Sequence, residues 1–182
     1  TKDTAKGVGM AWNQECYLRA LRFAAEAHAE QTVPGTDFPY LVHLVTVTAE
    51  VSRALCSEDV DEPDLAILCA MLHDSIEGRF GPKVAAGVQA LSKDPEIQAS
   101  EGKAAAMRDS LDRIRSQSRE VWMVKLADRI TNLQQPPDYW TNEKRQRYRA
   151  EAGVILESLG EASPFLASRL AGKIEGYGAW ID

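Results

Sequence analysis

The run Pro63-Asp64-Leu65-Ala66-Ile67-Leu68-Cys69-Ala70-Met71-Leu72-His73-Asp74 decides the fold. Proline suits the first position of a helix, where its missing amide hydrogen costs no intrahelical bond, so Pro63 after the acidic Asp61 and Glu62 marks a helix start. From Leu65 to Leu72 the chain is apolar on every side, which places this helix at the centre of a bundle and not on its surface. It ends on His73 and Asp74. An unpaired carboxylate beside such a helix is costly to bury, so something cationic must lie near Asp74.

Working outward, helical periodicity dominates and alternating strand-like runs are missing, so the fold class is all-α, one domain of about eight helices. A first helix is expected from about Trp12 to Gln31, with Tyr17, Leu21, Ala24 and His28 along its inner edge. Pro34 and Gly35 break the pattern, and a second helix follows Pro39 with His43 in its first turns and Leu44, Val47, Val51 and Leu55 on one stripe. A short helix follows Pro82, Lys93 to Gly102 reads as a loop, and a polar helix spans Lys103 to Arg115. The sixth helix, Glu120 to Leu133, carries Val121, Val124 and Asp128 on one face and stops before Pro136 and Pro137. Two more, about Asn142 to Leu159 and Pro164 to Ala179, are separated by Gly160 as a C-cap and by Ser163-Pro164 as N-cap and first residue. Residues 1–11 read as a flexible polar tail, without the apolar core of a signal peptide, and 12–182 as the domain.

Composition excludes some functions. The 182-residue chain has a net charge of -6 and 45% hydrophobic residues. Wrapping nucleic acid requires a dense basic surface, so a nucleic-acid partner is not expected, whereas a small anionic ligand needs only a few local cations. No stretch reaches the apolar length of a membrane span. Cys16, Cys56 and Cys69 are an odd number without a CxxC pair, which favours a reducing, cytosolic compartment. Oligomeric state is left open.

His43 on the second helix and Asp128 on the sixth are ligand-type residues on otherwise apolar faces, and the chain has only three histidines. With His73 and Asp74 they form a candidate two-His, two-Asp metal site. Taken singly, each also fits a plainer role: His73 as a hydrogen-bonded core histidine, Asp128 as a partner of Arg129. The ordered set favours the metal.

These residues fall within blocks that resemble the HD-domain superfamily, and more narrowly the alarmone hydrolases of the RelA/SpoT type and their free-standing small relatives. The blocks are Ala27-His28-Ala29-Glu30-Gln31, Pro39-Tyr40-Leu41-Val42-His43, Leu72-His73-Asp74-Ser75-Ile76-Glu77, and Val124-Lys125-Leu126-Ala127-Asp128-Arg129 followed by Asn132-Leu133. The resemblance runs from about Leu18 to Ile155. It implies an HD-type helical bundle that holds one divalent ion, usually Mn²⁺, on His43, His73, Asp74 and Asp128. Imidazole with carboxylate oxygen and no thiolate suits Mn²⁺ or Mg²⁺ better than a structural zinc.

The resemblance also implies a catalytic role for Glu77. Four residues after His73, it falls on the same helix face, where its carboxylate can orient or deprotonate a water at the metal; the plainer role is a solvated helix-end carboxylate. Lys144 and Tyr148, one turn apart, match the family's basic and aromatic substrate contacts. Asn132 is a further polar contact one turn beyond Asp128, and Lys103 a candidate phosphate contact or a merely solvated lysine. The implied reaction is release of pyrophosphate from the 3′ position of (p)ppGpp or (p)ppApp.

Two departures bear on that reading. The family's basic stretch before Pro-Tyr is replaced by Thr32 to Phe38, which contains no cation, and the acidic residue after the catalytic Glu is Gly78. Asp37 offers an acceptor that suits adenine's amine and repels guanine O6, so adenosine alarmones are expected to be cleaved at least as well as guanosine ones. The alternatives are an HD phosphohydrolase of another nucleotide or dinucleotide phosphate, and a nucleotide-binding regulator that has lost turnover.

Overall fold

A computed structural model describes residues 12–75 and 78–182. Among these residues there are nine α-helices and no strand: α1 Gln14–Ala27, α2 Leu41–Leu55, α3 Pro63–Leu72, α4 Pro82–Leu91, α5 Pro95–Glu101, α6 Lys103–Arg115, α7 Arg119–Asn132, α8 Asn142–Leu159 and α9 Pro164–Tyr177. The expected tail, residues 1–11, lies outside the described residues, as does Glu77.

The all-apolar run forms α3, and each residue from Leu65 to Leu72 is buried. It packs on α1, α2, α4 and α7. Burying a large aliphatic side chain is worth roughly 1.5–3 kcal/mol, so Ile67, Met71 and Leu72, none more than 2% exposed, anchor the bundle. The α4 helix reaches this core through Gly87, where a Cβ would stand only 2.8 Å from Cys69 Sγ and 2.9 Å from Val121 Cγ2. Cys69 is a buried free thiol, and Cys16 and Cys56 are free as well. No helix among the described residues is long and apolar enough to cross a membrane.

The expected boundaries need two corrections. The Lys93 to Gly102 loop contains α5, whose N-cap Asp94 accepts hydrogen bonds from the Glu96 and Ile97 amides ahead of Pro95 at the first position. The α1 helix stops at Ala27, with His28 as its C-cap. Beyond it the Gln31 carbonyl accepts the Tyr40 amide at 2.9 Å, and Thr32 pairs with Pro39, so the chain is drawn into a closed loop. Gly160 is the C-cap of α8 as expected, with a right-handed φ of -60°, and opens a 3-10 turn, Gly160–Ala162. Ser163 caps α9 as expected, its hydroxyl accepting the Leu166 amide.

Candidate active site

Helices α2, α3 and α7 cross in the core and bring His43, His73 and Asp128 to one point. His43 Nε2 lies 3.3 Å from His73 Nε2 and 3.5 Å from Asp128 Oδ1, and His73 Nε2 lies 3.8 Å from the same oxygen. His73 Nδ1 is 2.8 Å from the Ala70 carbonyl oxygen. A carbonyl only accepts, so Nδ1 carries a proton and the ring turns its Nε2 toward His43. Ring nitrogens and a carboxylate oxygen converging in a buried place call for a cation.

The donor set fits a divalent ion. A triangle with these three edges has a circumscribed radius of about 2.1 Å, within the range of roughly 2.0–2.2 Å for metal bonds to imidazole nitrogen and carboxylate oxygen. These residues are the group of His, Cys, Asp and Glu among the described residues whose ligand atoms all lie within 4.8 Å of one another. Asp74, more exposed, stands at the edge with Oδ2 3.4 Å from His73 Nε2. His43, His73 and Asp128 thus form the close group, and Asp74 borders it through His73.

Further polar groups orient these four. Tyr40 donates its hydroxyl to Asp74. Burial, then the Asp74 charge, push the Tyr40 hydroxyl well above its usual range, so it stays a donor. Asp128 Oδ2 accepts from Lys125 Nζ at 3.2 Å and Oδ1 from Asn132 Nδ2 at 2.6 Å. Burial opposes ionisation of Asp128, but Lys125 and the two imidazoles hold its carboxyl well below the usual carboxylate range. His28 lies 2.7 Å from the Ser75 hydroxyl and 2.6 Å from Gln31 Oε1, with its ring 5.1 Å from Tyr40. Reading the sequence gave no role to Tyr40 or Lys125, although both stand inside the quoted blocks. Asp128 pairs with Lys125, not with Arg129.

Beside this cluster is a cleft of about 280 Å³, lined in part by Lys93, Lys103, Lys144, Arg147, Tyr148 and Glu151. Three of the four expected substrate contacts, Lys103, Lys144 and Tyr148, share it. The fourth, Asn132, instead binds Asp128. Lys144 Nζ sits 3.9 Å from the centroid of the Trp140 ring, and the Arg129 guanidinium 4.3 Å from that of Tyr148. Burial pushes the Tyr148 phenol up to about 12, while partial burial and then the Lys125 charge lower the pKa of Lys93. Arg129, next to Asp128 on α7, is the residue that rests on Tyr148, so the cleft adjoins the metal-type cluster. Lys93, Arg147 and Glu151 were missed. Arg147 and Glu151 follow Lys144 at three and seven residues on α8, a helical signal present in the sequence.

The Thr32 to Phe38 loop carries no cation and leaves Asp37 exposed. A Cβ at Gly35, whose φ is 82°, would come within 3.1 Å of Pro137 Cγ, so the loop leans on the segment between α7 and α8.

A bundle with paired imidazoles and carboxylates on crossing helices defines a class: the HD domain family matches residues 20–163, and the chain belongs to it. Among solved structures it is similar to one described as a metazoan ortholog of SpoT that hydrolyzes ppGpp and plays a role in starvation responses. The two share 24% sequence identity with a TM-score of 0.76, covering 92% of this chain and 98% of the other, and so share the fold. A search of curated protein sequences returns no match.

Proposed function

We propose that this chain is a metal-dependent 3′-pyrophosphohydrolase of hyperphosphorylated purine nucleotides, with His43, His73, Asp74 and Asp128 holding one Mn²⁺. The observation that carries the reading is the triangle of His43, His73 and Asp128, with metal-bond dimensions, beside a cleft of four cations. Membership of the HD domain family supports it, as does the shared fold with a protein that hydrolyzes ppGpp. The free cysteines favour a reducing cytosol.

A divalent ion at this place supplies Lewis acidity to a phosphoryl oxygen or a water. The chain's own groups do the rest. Lys125 and Asn132 fix both oxygens of Asp128, and Tyr40 fixes Asp74, so Asp128 stays ionised and both carboxylates are oriented. Glu77 is the proposed base on its place in the block Leu72-His73-Asp74-Ser75-Ile76-Glu77 that resembles the family's; the helix face expected to carry it together with His73 does not support it, because α3 ends at Leu72 with His73 as its C-cap. Glu77 takes a proton from water as oxygen bonds to the phosphorus next to the ribose; the bond to the ribose 3′ oxygen breaks, that oxygen takes a proton, and pyrophosphate leaves. Lys144 and Arg147 neutralise the remaining phosphates, and Tyr148 flanks the ribose or base.

The test is a substrate panel resolved by anion exchange, with Mn²⁺ and with chelator. Metal-dependent pyrophosphate release from nucleoside 3′-diphosphates is expected. Turnover only of ordinary nucleotides or dinucleotides would support the wider HD phosphohydrolase reading, and binding without turnover a regulator. Within the panel (p)ppApp is expected to be cleaved at least as well as (p)ppGpp, because Asp37 faces no competing loop cation. A guanosine preference of tenfold in kcat/KM, about 1.4 kcal/mol, would overturn that base assignment.

A further inference from the structure

The cleft is built for anions, yet one of its walls carries a carboxylate. Lys93, Lys103, Lys144 and Arg147 supply positive charge, and Glu151 is the acid among the lining residues. An ordinary structural reason for Glu151 is to neutralise Arg129, which is only 5% exposed. A carboxylate kept for that purpose closes short, often two-point hydrogen bonds on the guanidinium. Glu151 Oε2 instead stands 3.9 Å from Arg129 Nη2, beyond hydrogen-bond reach. Arg129 Nε and Nη1 are buried without a partner, its guanidinium resting on the Tyr148 ring. Glu151 thus leaves its structural partner incomplete, while its charge reaches Lys93 and Tyr148 on the cleft side.

We propose that Glu151 limits what each added phosphate gains in the cleft, so that a more highly charged triphosphate is held little more tightly than a diphosphate. The inference rests on reading the cleft as the site of a nucleotide's phosphate chain. At about 280 Å³ the space suits such a chain better than a whole nucleotide. Each added phosphate gains attraction from the lysines and arginine but meets repulsion from Glu151, and in a partly desolvated cleft that repulsion offsets the gain. The tail is read by charge count.

The experiment uses metal-loaded protein freed of excess ion and measures binding of adenosine 5′-diphosphate and 5′-triphosphate by calorimetry. Wild type is expected to bind the triphosphate no more than about threefold more tightly than the diphosphate. Glu151→Gln should raise that ratio to about tenfold, and Glu151→Asp, which keeps the charge, should leave it near wild type. Lys144→Ala should weaken both ligands, placing them in the cleft. An unchanged ratio in Glu151→Gln, a wild type that already prefers the triphosphate tenfold, or a Lys144→Ala variant with unaltered binding would each overturn the proposal. If Glu151→Gln fails to fold, the wild-type ratio and Glu151→Asp still decide it. The hydrolase reading fails separately, on the substrate panel, if no pyrophosphate is released while the ratio still responds to Glu151.

Discussion

His43, His73 and Asp128 come from helices that cross inside the core, whereas Lys93, Lys103 and Arg147 stand exposed on a connection and on the outer helices α6 and α8. The first group is held by hydrogen bonds to its outer atoms: Ala70 to His73, Lys125 and Asn132 to Asp128. In the cleft, the half-buried Lys144 rests instead on the face of the Trp140 ring. Preorganised groups act on the reacting bond and exposed cations on capture. Damage to the cluster should therefore appear in kcat, and damage to the cleft in KM.

The largest expected effect is that of Asp128→Asn. Metal content should fall from about one ion per chain to none and turnover by about 10³-fold or more, with the helical circular dichroism retained. An active, chelator-insensitive variant would break the comparison at its root. Glu77→Gln should keep the metal but lower kcat by about 10²-fold, the scale of a lost general base; near wild-type turnover would hand the proton transfer to another group. Tyr40→Phe removes the donor to Asp74 and should weaken metal affinity about tenfold, as loss of a group that orients a ligand does, measured by metal titration. Lys144→Ala should raise KM about fivefold with kcat unchanged, an effect that shrinks in high salt. A matching fall in kcat there would show that the two regions are not separate. The smallest change, Tyr148→Phe, keeps the ring beneath Arg129 and should shift KM by about twofold or less.

How much of this could be read in advance follows the same division. The central helix was legible because an all-apolar run must be buried, and the site because ligand-type residues stand in an ordered set; the carboxylate at the helix end, Asp74, is exposed, so the expected cost of burying it does not apply. The register of α2 buries His43, and that of α7 sets the half-buried Asp128 beside it. By contrast α5 has no buried residue, so no apolar stripe announced it; the signal was the Asp94-Pro95 cap, a local hydrogen-bond device that periodicity overlooks. Lys93 and Glu151 could not be joined to Lys103 by spacing, since their meeting depends on how the connection after α4 folds against α8. Tyr40 and Lys125 show a different gap. Sequence adjacency identified the blocks, but only packing shows which hydroxyl and which ammonium hold a given carboxylate.

The Lys144 ammonium resting 3.9 Å from the Trp140 ring has a consequence for observing this protein at work. Indole emission responds to a charge on its face, and Lys144 is one of the two cations that neutralise phosphates in the proposed mechanism. Ligand entry draws that charge away from the ring, so the emission of Trp140 changes with occupancy, whatever happens later at the scissile bond. The cleft is its own optical reporter, and replacing the tryptophans at 12, 122 and 180 would leave filling and emptying visible in stopped flow without a label.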